Sequence, residues 1–235
     1  MSTPLQPALA SLLSYLKDIG YSDVYLSRAA AQNPLSPALS PVPVERGPEA
    51  SPELASIKAA AEACTRCRLA QGRQKVVFGS GNTAADLMLI GEAPGAEEDK
   101  QGLPFVGAAG ELLTKIIQAM DMRREDVYIA NVLKCRPPGN RDPQPDEIAA
   151  CRSFLERQIE LIQPKVIVAL GRIAAQALLG TDSPIGQMRG QWYRIQGIPA
   201  MVTYHPAALL RNQGLKRPTW EDMQQVRDRL RELRA

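Results

Sequence analysis

Four short apolar runs punctuate the chain, and each stops where a strand cannot continue. They are Leu87-Met88-Leu89-Ile90, Val127-Tyr128-Ile129-Ala130, Val166-Ile167-Val168-Ala169-Leu170 and Ala200-Met201-Val202-Thr203-Tyr204. Runs of this length without polar alternation fit strands buried on both faces. Helical spacing separates them, over about 108–120, 145–161 and 171–180, with a small hairpin or meander over 185–198, and a helix over about 219–233 closes the chain. This alternation predicts an α/β fold: three αβα layers around a central four-stranded parallel sheet with right-handed crossovers. A parallel sheet brings all its carboxyl ends to one edge, where open α/β sheets place their sites. Glu92, Asn131, Gly171 and His205 stand at those ends. The topology therefore predicts one cleft built from residues more than a hundred positions apart.

The first of those ends opens GEAPGAEEDKQGLPFVG, residues 91–107. Two glycines and a proline within five residues turn the chain. Carboxylates follow at Glu97, Glu98 and Asp99, then Phe105 between Pro104 and Gly107. Small residues let backbone N–H groups approach a ligand, and an aromatic offers it a face. Such a loop suits a flat, polar substrate. The second end leads into KCRPPGNRDPQP, whose Lys134, Arg136 and Arg141 suit a phosphate-bearing ligand.

The flanks are organised differently. Leucines 5, 9, 12, 13 and 16 lie at helical spacing, predicting an amphipathic helix. Residues 33–52 hold six of the nineteen prolines and read as a semi-rigid linker. The expected organisation is an N-terminal helical extension over 1–32, a linker over 33–52 and one domain over 53–235. The stripe of the extension must pack on that domain or on an unknown protein partner. Ser51-Pro52-Glu53 then begins a helix, with Ser as N-cap and Pro at the first helical position.

Composition narrows the chemistry. No apolar run approaches the length of a membrane span, so no membrane partner is expected. The N-terminus shows no secretory leader, and a cytoplasmic monomer is the expectation. The net charge of +3 is only mildly basic. His205 is the single histidine, so any imidazole chemistry at neutral pH must use it. Four cysteines occur where disulfides are rare. Cys64-x2-Cys67 forms a knuckle, with Cys135 and Cys151 following singly. Four thiolates suit zinc or an iron–sulfur cluster, and softness alone does not decide between them. The spacing departs from a zinc ribbon, which uses two such knuckles.

Taken together, GEAPGAEEDKQGLPFVG, NVLKCRPPGNRDPQPDE…AC and YHPAALLRN, with four cysteines in order, closely resemble a family 4 uracil-DNA glycosylase. The resemblance covers about residues 53–235. It implies a hydrolase that flips uracil out of DNA and cuts its N-glycosidic bond, leaving an abasic site. It implies a structural [4Fe–4S] cluster on Cys64, Cys67, Cys135 and Cys151, with zinc the lesser alternative. By the same resemblance, Glu92 stabilises the sugar cation and orients water, and His205 donates to uracil O2. Asn131 reads the base edge, Phe105 stacks on the base, Glu98 excludes the thymine methyl, and the Ala93 backbone touches the ring. Leu209 or Leu210 is the wedge that fills the vacated stack. Arg211 reaches a phosphate, and Lys134 and Arg136 contact DNA. A non-catalytic DNA-binding module would not need the Glu92–His205 pair, and relatives acting on deaminated purines tend to lack an acid at position 92.

Overall fold

The computed structural model describes residues 51–234. The helix expected over 5–16 and the linker up to residue 50 lie outside the described residues.

The first helix, α1 (Pro52–Glu62), starts as its sequence dictates. The Leu54 N–H donates to Ser51 Oγ (3.2 Å), and Pro52 occupies the first turn. The core then alternates: β1 (Ser80–Gly81), β2 (Leu87–Gly91), α2 (Ala96–Gln101), α3 (Ala108–Ala119), β3 (Tyr128–Asn131) and α4 (Pro145–Ile162). It continues with β4 (Val166–Leu170), α5 (Arg172–Leu179), α6 (Ile185–Met188), β5 (Trp192–Ile195), β6 (Ile198–Thr203), α7 (Pro206–Arg211) and α8 (Lys216–Glu232).

The sheet has six strands in the order β1-β3-β2-β4-β6-β5, not the four expected. Its inner strands β3, β2, β4 and β6 run parallel, and β1 and β5 pair antiparallel at the edges. The sequence missed β1 because two residues carry no periodicity. β5 lies in the expected 185–198 meander, where α6 also forms. A third difference is α2, a helix inside the stretch expected to be a loop. Glu97, Glu98 and Asp99 occupy its first turn, where the helix dipole favours negative charge.

Both sheet faces are covered. Leu87, Leu89, Ile129, Val166 and Val168 pack towards α3 and α8, while Met88, Ile90, Ala130 and Ile167 pack towards α4 and α5. This explains the unbroken apolar runs: alternate side chains enter opposite cores, and both exclude water.

Two buried carboxylates fix the segments that leave the carboxyl edge. Glu147, fully buried, accepts from Arg68 Nε (2.9 Å), Arg141 Nη2 (2.6 Å) and Nη1 (2.9 Å), and the Gln144 N–H (2.9 Å). The Arg141 guanidinium first of all holds its pKa down to about 2. The loop after β3 is thereby locked to α4. Asp222, also fully buried, accepts from Thr203 Oγ1 (2.6 Å) and from the Arg189 guanidinium, which lies over the Tyr204 ring. That network grips β6 just before His205.

Candidate active site

The carboxyl edge opens into a cleft of about 380 Å³. Glu92, Ala93, Glu98, Phe105, Asn131, His205 and Arg211 all line it. Seven residues from the segments at three strand ends, those of β2, β3 and β6, thus meet at one edge, as parallel topology predicts.

Glu92 directly follows β2 and is largely withdrawn from water. Burial pushes its carboxyl up to about 7; the negative charge of Asp142 adds to the rise and Arg172 opposes it. Arg172 Nη2 donates to Asp142 Oδ2 (2.6 Å), so the two opposed influences arrive as one ion pair.

His205 caps α7. Its Nδ1 accepts from the Ala207 N–H (3.1 Å), which leaves the ring proton on Nε2. Burial, and then the nearby Arg211 charge, pull its pKa down to about 4. The imidazole is therefore neutral at physiological pH and presents one N–H donor. Gly171 makes room for it: φ there is +93°, and a Cβ would sit 2.9 Å from His205 Cβ.

Phe105 adopts φ 53°, a left-handed conformation that a bulky residue occupies only under constraint. The constraints are visible. Glu98 Oε1 accepts from the Val106 (2.9 Å) and Gly107 (3.1 Å) N–H groups, and Arg124 Nη2 donates to the Pro104 (2.7 Å) and Phe105 (3.0 Å) carbonyls. Glu98 thus shapes the loop as well as lining the cleft. The Phe105 ring stacks on His205 at 5.4 Å.

Asn131 ends β3 at 1% exposure. Its Oδ1 is the one buried side-chain polar atom among the described residues that lacks a partner. Gly91 permits this packing, because a Cβ there would lie 2.5 Å from that oxygen and 2.7 Å from the Phe105 ring. An unpaired buried acceptor in a cleft is costly unless something else fills the bond.

Two expectations need correction. Lys134 is not a surface cation. It is 1% exposed, and Nζ donates to the Asn131 carbonyl (2.8 Å) and Gln158 Oε1 (2.5 Å). Burial lowers its pKa to about 8. Leu209 is fully buried in the core beside α3 and α8, whereas Leu210 is 45% exposed. Of the two candidate wedges only Leu210 faces outwards. Arg136 stays accessible but lies off the cleft, where Nε donates to Asn140 Oδ1 (2.8 Å). The cleft also contains Arg141, expected in the basic loop after the second strand, and Asn140 and Asp142, which carried no expectation. The run RPPGNRDP was the available signal, since its prolines stiffen a loop leaving a strand end.

Cys64, Cys67, Cys135 and Cys151 are free thiols lining one small cavity, shared with Arg66, Arg73, Lys134 and Phe154. The Lys134 N–H donates to Cys151 Sγ (3.3 Å), and Arg73 Nη1 to Cys135 Sγ (3.4 Å). Among the described residues no group of three His, Cys, Asp or Glu side chains is set to hold a metal ion as it stands. No helix among them is long and apolar enough to cross a membrane.

Comparison with known proteins places this arrangement. The family model of the uracil DNA glycosylase superfamily matches residues 78–225, which span the cleft from β1 to α8. A Type-4 uracil-DNA glycosylase of Sulfurisphaera tokodaii is 46% identical over 184 residues, covering 74% of this chain and 84% of that protein. The chain belongs to the uracil DNA glycosylase superfamily. Its similarity is strongest to the type-4 branch: a Thermotoga maritima member is 48% identical over 170 residues, 70% of this chain and 88% of that one. A Type-5 uracil-DNA glycosylase of Pyrobaculum aerophilum is more distant, 31% identical over 152 residues and covering 57% of this chain and 66% of that one. Within the superfamily fold, β2, β3 and β6 carry Glu92, Asn131 and His205 to the common edge.

Proposed function

We propose that this chain is a monofunctional uracil-DNA glycosylase, a hydrolase that binds an extruded uracil in the cleft and cuts its N-glycosidic bond. One observation carries the reading: the unpaired Asn131 Oδ1 shares a single cleft with Glu92, Phe105 and His205. Uracil offers an N3–H donor to that oxygen, whereas cytosine presents an unprotonated N3 there and would leave it unpaired.

The chemistry follows from charge. As the bond stretches, the sugar becomes cationic and uracil anionic. The ionised Glu92 stabilises the first and orients water towards C1′. The neutral His205 donates Nε2–H to the oxygen of the departing base. A neutral donor suits this step, because it adds no charge to the cleft before the anion forms. Phe105 supplies a stacking surface, Glu98 closes the pocket around the C5 side of the base, and the Ala93 backbone touches the ring.

On the DNA side, Leu210 is the wedge and Arg211 the phosphate contact, with Arg136 further out along the backbone. Replacing Leu209 by Ala should cost the fold about 2–5 kcal/mol by opening a core cavity. Replacing Leu210 by Ala should leave the melting temperature within about a degree and slow uracil release from duplex more than from single-stranded DNA. Thermal melts beside paired duplex and single-strand assays check this. Equal melting losses in both variants would remove Leu210 from the wedge role.

The four thiols fit the cluster expected from the sequence. The donor set is all sulfur, two of the sulfurs accept hydrogen bonds, and Arg66, Arg73 and Lys134 supply positive charge beside an anionic centre. Cys64, Cys67, Cys135 and Cys151 would hold a [4Fe–4S] cluster, with zinc the lesser alternative. It would tie the segment after α1 to the loop after β3 and to α4.

The direct test is a uracil-containing oligonucleotide, assayed for free uracil and abasic sites. Its rate should rise with pH through about 7, as Glu92 ionises, and level off above. In an Asp142→Asn variant the rise should move to lower pH, because a charge that opposes Glu92 ionisation is gone. No uracil release at any pH would overturn the proposal.

A further inference from the structure

Lys134 occupies a position where a lysine is costly. Its side chain is 1% exposed, and both of its hydrogen-bond partners, the Asn131 carbonyl and Gln158 Oε1, are neutral. A buried ammonium without a carboxylate is tolerated only where its bonds are all fixed. Here they are. Gln158 is fully buried, and its Nε2 donates to the Phe78 carbonyl (2.9 Å) and the Tyr128 hydroxyl (3.1 Å). Its carboxamide therefore has one orientation, with the oxygen towards Lys134. The Phe78 ring lies 5.8 Å from the ammonium on another side.

What this bracket holds is the main chain of Asn131, three residues back at the floor of the cleft. Base selection asks a carboxamide to present its oxygen and not its NH2, and that works only if the backbone behind it is fixed to a fraction of an ångström. Charge-assisted bonds are about twice as strong as neutral ones and well suited to fixing a peptide. A leucine or methionine here would fill the space but leave the Asn131 carbonyl without its charged donor.

We propose that Lys134 is a positioning residue for base selection: braced by Gln158, it clamps the Asn131 peptide and thereby sets the carboxamide that tells uracil from cytosine. This deepens the glycosylase reading and rests on it. It also gives the bracket a second attachment, because the Lys134 N–H bonds Cys151, one of the four thiols.

The test measures binding, not turnover. Full-length protein is titrated with duplex carrying one non-cleavable 2′-fluoro-2′-deoxyuridine, and with the same duplex carrying cytosine at that place. The wild-type chain should prefer the uracil duplex. In Lys134→Met that preference should fall about tenfold or more, the scale of losing one well-placed hydrogen-bond discrimination, with cytosine-duplex affinity unchanged within about twofold. Gln158→Met, matched in volume, removes the brace and should lower the preference in the same direction, which keeps the proposal testable if Lys134→Met does not fold. An unchanged preference in a folded variant overturns the proposal, as does an equal loss of affinity for both duplexes. A wild-type chain without any preference for uracil would instead overturn the glycosylase reading beneath it.

Discussion

Glu92→Gln should reduce single-turnover uracil release by about a thousandfold or more, while making the protein more stable at pH 8. The rate loss follows from charge: the amide is isosteric but cannot offset a sugar cation, and removing one such electrostatic partner costs on the order of 10²–10³ before the loss of water orientation is added. The stability gain follows from linkage. The folded-state pKa is about 7 against an ordinary 4.5, so the folded chain holds this proton more tightly than the unfolded chain does. Stability contributed by the protonated form is complete below about 4.5 and is lost as pH rises through 7. At pH 8 the buried carboxylate costs the fold about 1–2 kcal/mol after allowance for solvent screening. Glutamine removes that cost, and the melting temperature should rise by about 2–6 °C at pH 8, with the gain shrinking towards pH 4.5. Calorimetric scans at several pH values and a quenched-flow rate settle both halves. A rate within tenfold of wild type would take Glu92 out of the reaction, and a pH-independent gain would assign the stabilisation to packing.

His205→Ala should lower uracil release by about 10²–10³ by removing the donor to the departing base. Its pH signature differs from that of Glu92. With a folded pKa near 4, the imidazole stays neutral through the neutral range, so the wild-type profile should show one rising limb and no histidine limb between pH 6 and 9. The linkage sign is reversed in pH: the unfolded chain takes up the proton at about 6.5, the folded chain only near 4. Wild-type stability should therefore fall as pH drops through that window, a loss to which His205→Ala no longer contributes. A profile whose acid limb moves when His205 is replaced, with the Glu92 limb absent, would exchange the two assignments.

Both residues were visible in the sequence for the same reason. Each follows an apolar run whose period and length identify a buried strand, and parallel strands share an edge. Gly91, Asn131 and Gly171 followed by the same logic. The leucine pair 209 and 210 marks where that logic stops. Consecutive residues on a short helix point in directions about 100° apart, and the packing of α3 and α8 decides which one is covered. Lys134 shows the same boundary from the other side. Beside Arg136 it reads as part of a basic loop, but Gln158, twenty-four residues on, receives its ammonium inside the core.

The sequence by itself determined the alternation of strands and helices, the residues at the strand ends and the set of four thiols, because these depend on local periodicity and residue chemistry. Only the tertiary structure decided that Asp142 and Arg172 tune Glu92, that Leu210 and not Leu209 meets solvent, and that Lys134 lies beneath the cleft. Burial and electrostatic coupling depend on which distant segments come to lie within a few ångströms, and no local pattern encodes that distance.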